Sequence, residues 1–251
     1  MIERNIKILI AYDGTNFCGW QKQDKGRTIQ ECIGTALEKL HKHPVRLTGA
    51  GRTDSGVHAN GQVANFYTDI QTIPPERFAP ALNSILPQDI RILSAEETTS
   101  DFHARFDARS RTYQYRIIAG RPALPHERLY HLCMRRHPSV VRLNAFTRLL
   151  HGEMDCSTFA SPKDQSESRY RYIHNAVFFV QNDSLVFEIT ANAFLWKMVR
   201  SIVGTLLFYE EKGALPVEFA AVVNSFDHAK AGPTAPAHGL FLQKVDYPPK
   251  K

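Results

Sequence analysis

Hydrophobic and polar residues alternate in the first extended stretch of the chain, which runs from Ile6 to Tyr12. Three isoleucines at every second position share one face of this stretch: Ile6, Ile8 and Ile10. This period predicts a β-strand with one buried face. Apolar residues then recur with helical spacing, at Ile29, Ile33, Ala36, Leu37 and Leu40. They predict a helix that ends before Pro44, and Thr28 with Glu31 predicts a capping box at its start.

The first half continues with two strand-like runs, residues 45–49 and 62–68, and a loop between them. A second helix is predicted from about residue 75 to residue 86, and a strand over residues 89–93. The order of elements in this half is therefore βαββαβ.

The second half repeats this order with little sequence similarity. Its predicted elements are a strand over 112–118, a helix over 139–150, a hairpin of residues 171–180 and 184–191, a helix from about 194 to 211, a shorter helix near 216–224 and a strand over 239–247. The hairpin turns at Asn182-Asp183, a pair that favours tight turns. Gly213 is expected to end the long helix.

Two βαββαβ units in tandem predict an α+β protein with two ferredoxin-like halves, residues 1–107 and residues 108–251. If the two sheets join, they form one mostly antiparallel sheet with helices on one face and a cleft on the other. The element order fits two independent domains side by side equally well.

The loop between the two strands of the first half has the sequence Gly49-Ala-Gly-Arg-Thr-Asp-Ser-Gly-Val-His58. Its glycines let the backbone turn tightly and let another molecule approach closely. Asp54 follows a strand, a place where catalytic groups are often displayed. Asp-Ser-Gly is also a common turn sequence, because Asp and Gly favour turns for conformational reasons alone. Composition by itself favours the plain turn, whereas the flanking residues favour the catalytic interpretation.

The residues from Ala50 to His58 closely resemble the signature of the TruA-type tRNA pseudouridine synthases. Further matches follow in the family's order and spacing over nearly the whole chain: Tyr12–Gln21, Asp101–Phe106, Ala191–Phe194, Met198–Arg200 and Gly239–Leu240. The resemblance implies the joined sheet, with the active site in a central basic cleft between the halves. It also implies isomerisation of uridine to pseudouridine in the anticodon stem-loop of tRNA, at positions 38, 39 and 40 in tRNA numbering.

That reaction breaks the bond between C1′ and N1 of uridine, turns the uracil and joins C1′ to C5. Nothing is oxidised and no external atom enters, so neither a cofactor nor a metal is expected. Asp54 is the predicted catalytic carboxylate, which attacks C1′ or withdraws the 2′ proton; the sequence leaves both routes open. Burial disfavours an ionised carboxylate and a neighbouring cation favours it. Arg200 matches the family's active-site basic residue, and Arg52 is expected to enter the RNA where a flipped base leaves a space.

A uridine inside a duplex has to leave the stack before it can react. The pocket that receives it needs an aromatic surface, because base stacking contributes roughly 1–3 kcal/mol. Tyr113 matches the family's base-contacting tyrosine, and Leu240 matches its apolar residue in Gly-Leu-x-Leu. Tyr115 points to the same side of the strand and is the expected packing residue. His58 and His103 fit family motifs and are expected only to shape the site.

Charge favours a polyanionic partner. The 251 residues carry a net charge of +6, and residues 101–136 contain eight arginines but no lysine. Arginine grips phosphate and stacks on bases, although a solvated basic face fits such a run equally well. Four cysteines without a Cys-x-x-Cys pair, together with no apolar leader and no membrane span, favour a cytoplasmic protein without a membrane partner. The resemblance implies a homodimer, with tRNA spanning both subunits.

Two other classes of protein fit parts of this pattern. Asp54-Ser-Gly56 matches the short element of aspartic proteases, which need two carboxylates that share a proton in apolar surroundings. Arg52 stands where those enzymes place apolar residues, and a three-residue match is common by chance. A non-catalytic RNA-binding protein fits the basic charge and the element order, but an Asp in a basic cleft repels phosphate. Replacement of Asp54 by Asn separates this class, because a pure binder has no chemistry to lose.

Overall fold

In the computed structural model, which describes residues 3–249, the chain divides into two units. The first unit contains residues 3–109 and 241–249, and the second unit contains Ser110–Leu240. These units are defined by their internal packing, whereas the division of the chain into halves after residue 107 stays a prediction. Residues 1–2 and 250–251 of the predicted halves lie outside the described residues.

The first unit contains the predicted order βαββαβ. Its elements are β1 (Arg4–Tyr12), α1 (Ile29–His41), β2 (Leu47–Gly49), β3 (His58–Thr68), α2 (Phe78–Asn83) and β4 (Ile90–Thr98). The helix predicted over residues 75–86 is shorter than expected and begins with a 3-10 turn, Pro75–Arg77. Pro80 has no N–H to bond the carbonyl of Glu76, so the α-helix begins only at Phe78, with Pro80 in its first turn, where that N–H is not needed.

β1 lies between β3 and β4 and pairs antiparallel with both. β3 also pairs antiparallel with β2, and it pairs in parallel with β10 (Leu240–Asp246) through Phe241 and Leu242. The register sets Ile6 opposite Phe66, and the predicted isoleucine face of β1 is completely buried. The apolar stripe of α1 is buried as well: Ile29, Ile33, Ala36 and Leu37. The predicted face of β1 is therefore confirmed, and so is the stripe of α1 except for Leu40, which is only half-buried.

The capping box predicted at the start of α1 is wrong. Thr28 is the N-cap residue, and its carbonyl accepts the N–H of Cys32 at 3.2 Å. The Thr28 side chain makes no cap hydrogen bond, and its hydroxyl is buried without a partner among the described residues. Burial of the whole side chain therefore prevails over the cap geometry that the local sequence predicts.

The second unit combines an antiparallel sheet with helices. Its elements are β5 (Ser110–Ala119), β6 (Leu132–Met134), α3 (Val140–Thr147), β7 (Gly152–Asp155), β8 (Tyr170–Gln181), β9 (Ser184–Ala191), α4 (Met198–Glu211) and α5 (Pro216–Val223). The strands follow the order β5-β9-β8-β7 with antiparallel pairing, and β6 pairs with β5 in parallel. The mixed α+β class and the mostly antiparallel pairing are thus confirmed.

The predicted hairpin of β8 and β9 turns at Asn182 and Asp183, whose φ angles are 46° and 61°. Two positive φ angles at the centre of a two-residue turn match the twist of antiparallel strands. The short strands β6 and β7 were not predicted, and they make the order in this unit longer than βαββαβ. Segments of three or four residues show no usable period, so only their strand partners reveal them.

The sequence predicts that the long helix α4 begins near Phe194, but the helix begins at Met198. Lys197 has a φ of 61°, in the left-handed region that a right-handed helix cannot include. α4 ends at Glu211, and Gly213 follows with a φ of 74°, which confirms the predicted stop. Within residues 3–249, every helix is too short or too polar to cross a membrane.

Candidate active site

The loop between β2 and β3 is anchored to the sheet where it begins. The Ala50 N–H donates to the Val63 carbonyl at 2.8 Å, and the Gln62 side-chain amide donates to the Gly51 carbonyl at 2.9 Å. Beyond this anchor, Arg52 is exposed and Asp54 is half-buried. The predicted catalytic carboxylate therefore lies on a loop whose first residues are held by hydrogen bonds to β3.

The stretch after β1 also holds the Asp54 loop. The Trp20 N–H donates to the Thr53 carbonyl at 3.1 Å. The Thr53 hydroxyl lies 2.8 Å from the Tyr12 hydroxyl, and both side chains are buried. The residue directly before Asp54 is thus bonded through its backbone and its side chain, which limits the positions that the carboxylate can take.

Gly19 permits this close approach because it has no side chain. A Cβ at Gly19 would lie 2.6 Å from the Thr53 carbonyl oxygen and 3.1 Å from the backbone carbon of Asp54, and its φ of +89° favours glycine. On the far side of Asp54, the Ser55 hydroxyl donates to the Phe17 carbonyl at 3.1 Å. Residues 12–20 therefore form hydrogen bonds with both sequence neighbours of Asp54, Thr53 and Ser55.

His58, at the start of β3, is 1% exposed. Its Nδ1 accepts the Gly14 N–H at 3.0 Å, and its ring stacks on Phe241 with centroids 4.6 Å apart. A Cβ at Gly14 would meet the Val57 carbonyl oxygen at 2.0 Å, so glycine is required there. These contacts give His58 a role in packing the end of the Asp54 loop.

Tyr113, the predicted base-contacting residue, lies on β5 opposite Ile189 of β9 and is 9% exposed. Phe194, which follows β9, meets the Tyr113 ring edge to face with centroids 5.2 Å apart. Aromatic pairs prefer this geometry over face-to-face contact. The contact fixes the orientation of the phenol ring.

Tyr115, two residues further along β5, is completely buried, and its hydroxyl donates to the Pro236 carbonyl at 2.9 Å. Gly239 packs against the ring, and a Cβ there would come within 2.8 Å of it. Burial raises the pKa of Tyr115 well above its ordinary value, and the nearby Arg200 charge opposes this shift only in part. The phenol therefore stays neutral and serves as the packing residue that the sequence predicts.

Arg200 is half-buried in the first turn of α4. Its Nε donates to the Ala235 carbonyl at 2.8 Å, and the Ala235 N–H donates to the Arg200 carbonyl at 3.1 Å. Gly204, one turn later, lets this segment pack on the helix, because a Cβ there would lie 1.8 Å from the Pro233 carbonyl oxygen. The backbone of residues 233–235 thus orients the guanidinium.

The five predicted site residues fall into two groups. Arg52 and Asp54 belong to the first unit, and Tyr113, Arg200 and Leu240 belong to the second, where Leu240 is 5% exposed. Sequence reasoning missed the residues that hold these side chains in place: Tyr12, Gly19, Thr53, Ala235 and Pro236. The motif over residues 12–21 pointed to the first two only as part of a loop region. In the described part of the chain, no three His, Cys, Asp or Glu side chains are grouped so as to hold a metal ion.

Comparisons with known proteins show which family the chain belongs to. The model of the tRNA pseudouridine synthase family matches residues 8–107 and 146–248. The chain therefore belongs to that family, which confirms the resemblance of its motifs. The tRNA pseudouridine synthase A of Treponema denticola is 53% identical, over 98% of this chain and 94% of that protein. Proteins of the same name are 45% identical in Treponema pallidum, over 92% of this chain and 84% of that protein, and 42% identical in Caldicellulosiruptor saccharolyticus, over 97% and 100%.

Proposed function

We propose that this member of the tRNA pseudouridine synthase family isomerises uridine to pseudouridine at positions 38, 39 and 40 of tRNA, with Asp54 as the catalytic carboxylate. The construction of the Asp54 loop carries the proposal. Trp20 and Tyr12 bond Thr53, and Gln62 bonds Gly51, so the loop is ordered before substrate arrives. A carboxylate on such a loop needs little reorganisation to reach a reactive geometry.

The proposed reaction needs a carboxylate and no other reagent. The C1′–N1 bond breaks, the C1′–C5 bond forms, C5 loses its proton and N1 ends with a proton, so the product is an isomer of the substrate. Asp54 acts either as a nucleophile that forms a transient ester at C1′ or as a base that takes the C2′ proton to give a glycal. In both routes a carboxylate beside the rejoined base accepts the C5 proton.

The second unit supplies the pocket in this proposal. Tyr113 stacks on the uracil of a nucleotide that has left the stem, and the apolar side chain of Leu240 forms the opposite wall. Arg200 pairs with Asp54 and favours its ionised form. Arg52, which is exposed on the Asp54 loop, fills the space that the flipped base leaves. The fixed orientation of the Tyr113 ring and of the Arg200 guanidinium supports these roles.

We further propose that the two halves join into one ferredoxin-like sheet with a basic cleft, in which Asp54 and Arg200 meet. The net charge of +6 and the eight arginines of residues 101–136 support such a cleft, because they suit the phosphates of tRNA. A homodimer that binds one tRNA across both subunits fits the same charge. The free cysteines fit a reducing cytoplasm.

Pseudouridine mapping tests the substrate. Cells that lack the gene should lack pseudouridine at positions 38, 39 and 40 of their tRNA. The wild-type chain should restore all three modifications, and the Asp54→Ala chain should restore none. Loss of pseudouridine at other positions, with 38–40 intact, would contradict the proposed site of action.

Release of tritium from uridine labelled at C5 tests the chemistry. Asp54→Ala should abolish the release while tRNA binding persists. Asp24→Ala is the matched control, because Asp24 is an exposed aspartate of the same unit. Substantial turnover by Asp54→Ala would remove Asp54 from its role. A wild-type chain that binds tRNA and never releases tritium would instead be a non-catalytic RNA-binding protein.

A further inference from the structure

The loop between β9 and α4, residues 192–197, connects two parts of the proposed pocket. Phe194 on this loop meets the Tyr113 ring, and Arg200 lies in the first turn of the helix that follows. The same loop presents Trp196, 42% of which is exposed to solvent. A tryptophan usually buries most of its large apolar ring, so one displayed beside a substrate pocket is a candidate binding residue.

Trp196 is exposed on a backbone that is held firmly. The backbone N–H of Trp196 donates to the Asp164 carboxylate at 2.5 Å, and the backbone carbonyl of Trp196 accepts the Ser161 N–H at 3.1 Å. The Asp164 side chain is 5% exposed and lies 3.3 Å from the Arg169 guanidinium. A partner that stacks on the indole therefore meets a surface that is already ordered, which reduces the entropic cost of binding.

Lys197 adds a positive charge to this surface. Its φ of 61° is unfavourable for a residue with a side chain, and such strain persists where the surrounding structure imposes it, often at functional sites. Its Nζ lies over the Trp196 ring, 5.3 Å from the ring centroid. Lys163, which precedes Asp164 in the chain, is exposed too. The exposed surface thus combines a flat aromatic face with cationic groups.

We propose that Trp196 is a stacking site for a nucleobase of tRNA next to the flipped uridine, and that Lys197 contacts the adjoining phosphate. The inference rests on the proposed function, because it takes RNA as the occupant. An indole presents a face on which any base can stack, and an ammonium group pairs with phosphate. Since the loop joins the Tyr113 contact to Arg200, the stacked base lies beside the uridine pocket.

The fluorescence of Trp196 can report on the proposed contact. The sequence contains two tryptophans, and the other, Trp20, is only 2% exposed. Acrylamide therefore quenches mainly the Trp196 emission, and the Trp196→Phe variant supplies the remaining background. A saturating unmodified tRNA transcript should reduce this quenching about two-fold or more, because a stacked base shields the ring. Unchanged quenching while tRNA is fully bound would refute the stacking site.

Steady-state kinetics give an independent readout. Trp196→Ala should raise the KM for tRNA about 5- to 100-fold, the range expected for the loss of one stacked base, with a smaller effect on kcat. Trp196→Phe retains a ring and should recover most of the loss. Phe226→Ala is the matched control, because Phe226 is an aromatic residue of the second unit that is 55% exposed. A wild-type KM for Trp196→Ala, or an equal rise in KM for the control, would contradict the proposal.

The two readouts separate this inference from the proposed function. Shielding of Trp196 by tRNA without tritium release from the wild-type chain would keep the RNA contact and remove the chemistry. Tritium release without shielding would keep the chemistry and remove the stacking site. If Trp196→Ala instead changes the sedimentation coefficient of the free protein, the ring belongs to a contact between two copies of the chain, and the proposal is wrong.

Discussion

Arg200 and Ala235 are joined by two hydrogen bonds: the Arg200 Nε donates to the Ala235 carbonyl at 2.8 Å, and the Ala235 N–H donates to the Arg200 carbonyl at 3.1 Å. The hydrogen bond from Nε thereby fixes the direction of the guanidinium. The next residue, Pro236, accepts the hydroxyl of Tyr115. One stretch of backbone therefore positions both the cation and the packing tyrosine.

Arg200→Lys tests whether this orientation matters beyond the charge. Lysine keeps the positive charge but lacks the planar guanidinium, whose Nε bonds the Ala235 carbonyl in the wild type. We expect kcat for tritium release to fall about 10²-fold, as when one oriented donor is removed from an active site. Arg148→Lys, at an exposed arginine of the same unit, should keep the wild-type kcat. Full activity of Arg200→Lys would show that charge alone suffices.

Gly19→Ala tests the clamp on the Asp54 loop. The added Cβ would lie 2.6 Å from the Thr53 carbonyl oxygen at a φ of +89°, so the loop has to shift. We expect a loss of about 1–3 kcal/mol in the free energy of unfolding, measured in urea. The rate of tritium release should fall by about 10-fold or more, because Asp54 moves with the loop.

Gly34→Ala is the control for that substitution. Gly34 lies in α1, and a Cβ added there would meet no neighbouring side chain or segment within 4 Å, so alanine fits. Alanine should stabilise the helix by about 0.5–1 kcal/mol and leave tritium release unchanged. Equal effects of the two substitutions on activity would show that Gly19 has no special role in holding Asp54.

Two buried threonines should respond in opposite ways to replacement by valine. The Thr28 hydroxyl is buried without a partner among the described residues, so Thr28→Val should raise the free energy of unfolding by about 1 kcal/mol. The Thr53 hydroxyl pairs with Tyr12 at 2.8 Å, so Thr53→Val should lower it by about 1 kcal/mol. Urea unfolding of both variants measures the difference. A loss of stability in Thr28→Val would mean that its hydroxyl has a partner, such as a buried water.

Glu210, near the end of α4, accepts hydrogen bonds from the Arg136 guanidinium and the Ser139 N–H, and its side chain is 2% exposed. Burial alone raises the pKa of a carboxyl group, but these donors outweigh it and hold the pKa of Glu210 below its ordinary value. A carboxylate of this kind stabilises the fold above its unfolded pKa of about 4.3, and the contribution is lost as pH falls through the lower folded pKa.

Glu210→Gln should therefore lower the free energy of unfolding at neutral pH by about 1–3 kcal/mol, because the charged acceptor of Arg136 is lost. The gap between variant and wild type should narrow below about pH 4, where the wild-type carboxylate becomes protonated. Urea unfolding across this range checks the prediction. A gap that stays constant with pH would show that packing, and not charge, accounts for the role of Glu210.

The sequence predicts those parts of the fold that depend on near neighbours. The isoleucines of β1, the stripe of α1 and the Asn182-Asp183 turn each carry their pattern within a few residues. The start of α4 has no such local pattern. The backbone N–H of Trp196, just before this helix, donates to the carboxylate of Asp164, which lies 32 residues earlier in the chain. The Thr28 hydroxyl, which has no partner within residues 3–249, likewise depends on core packing that no local pattern contains.

The candidate site shows the same division. The motif resemblance supplied Asp54, Tyr113 and Arg200 as residues, because their sequence context is distinctive. It did not supply what orients them, since Ala235 lies 35 residues after Arg200 and Tyr12 lies 41 residues before Thr53. Only the folded backbone brings these partners together.

If the Asp54 carboxylate performs the chemistry, the Asp54→Asn variant should bind tRNA and fail to react in a single-turnover experiment. Asparagine keeps the size of the side chain and removes the charge, so the loop held by Thr53 and Gly19 should persist. With the variant in excess over tRNA labelled with tritium at C5 of uridine, we expect tRNA to bind at least as tightly as it binds the wild type, and no tritium to appear above background. If freshly purified Asp54→Asn released the full wild-type amount of tritium, however slowly, Asp54 would not be the catalytic carboxylate.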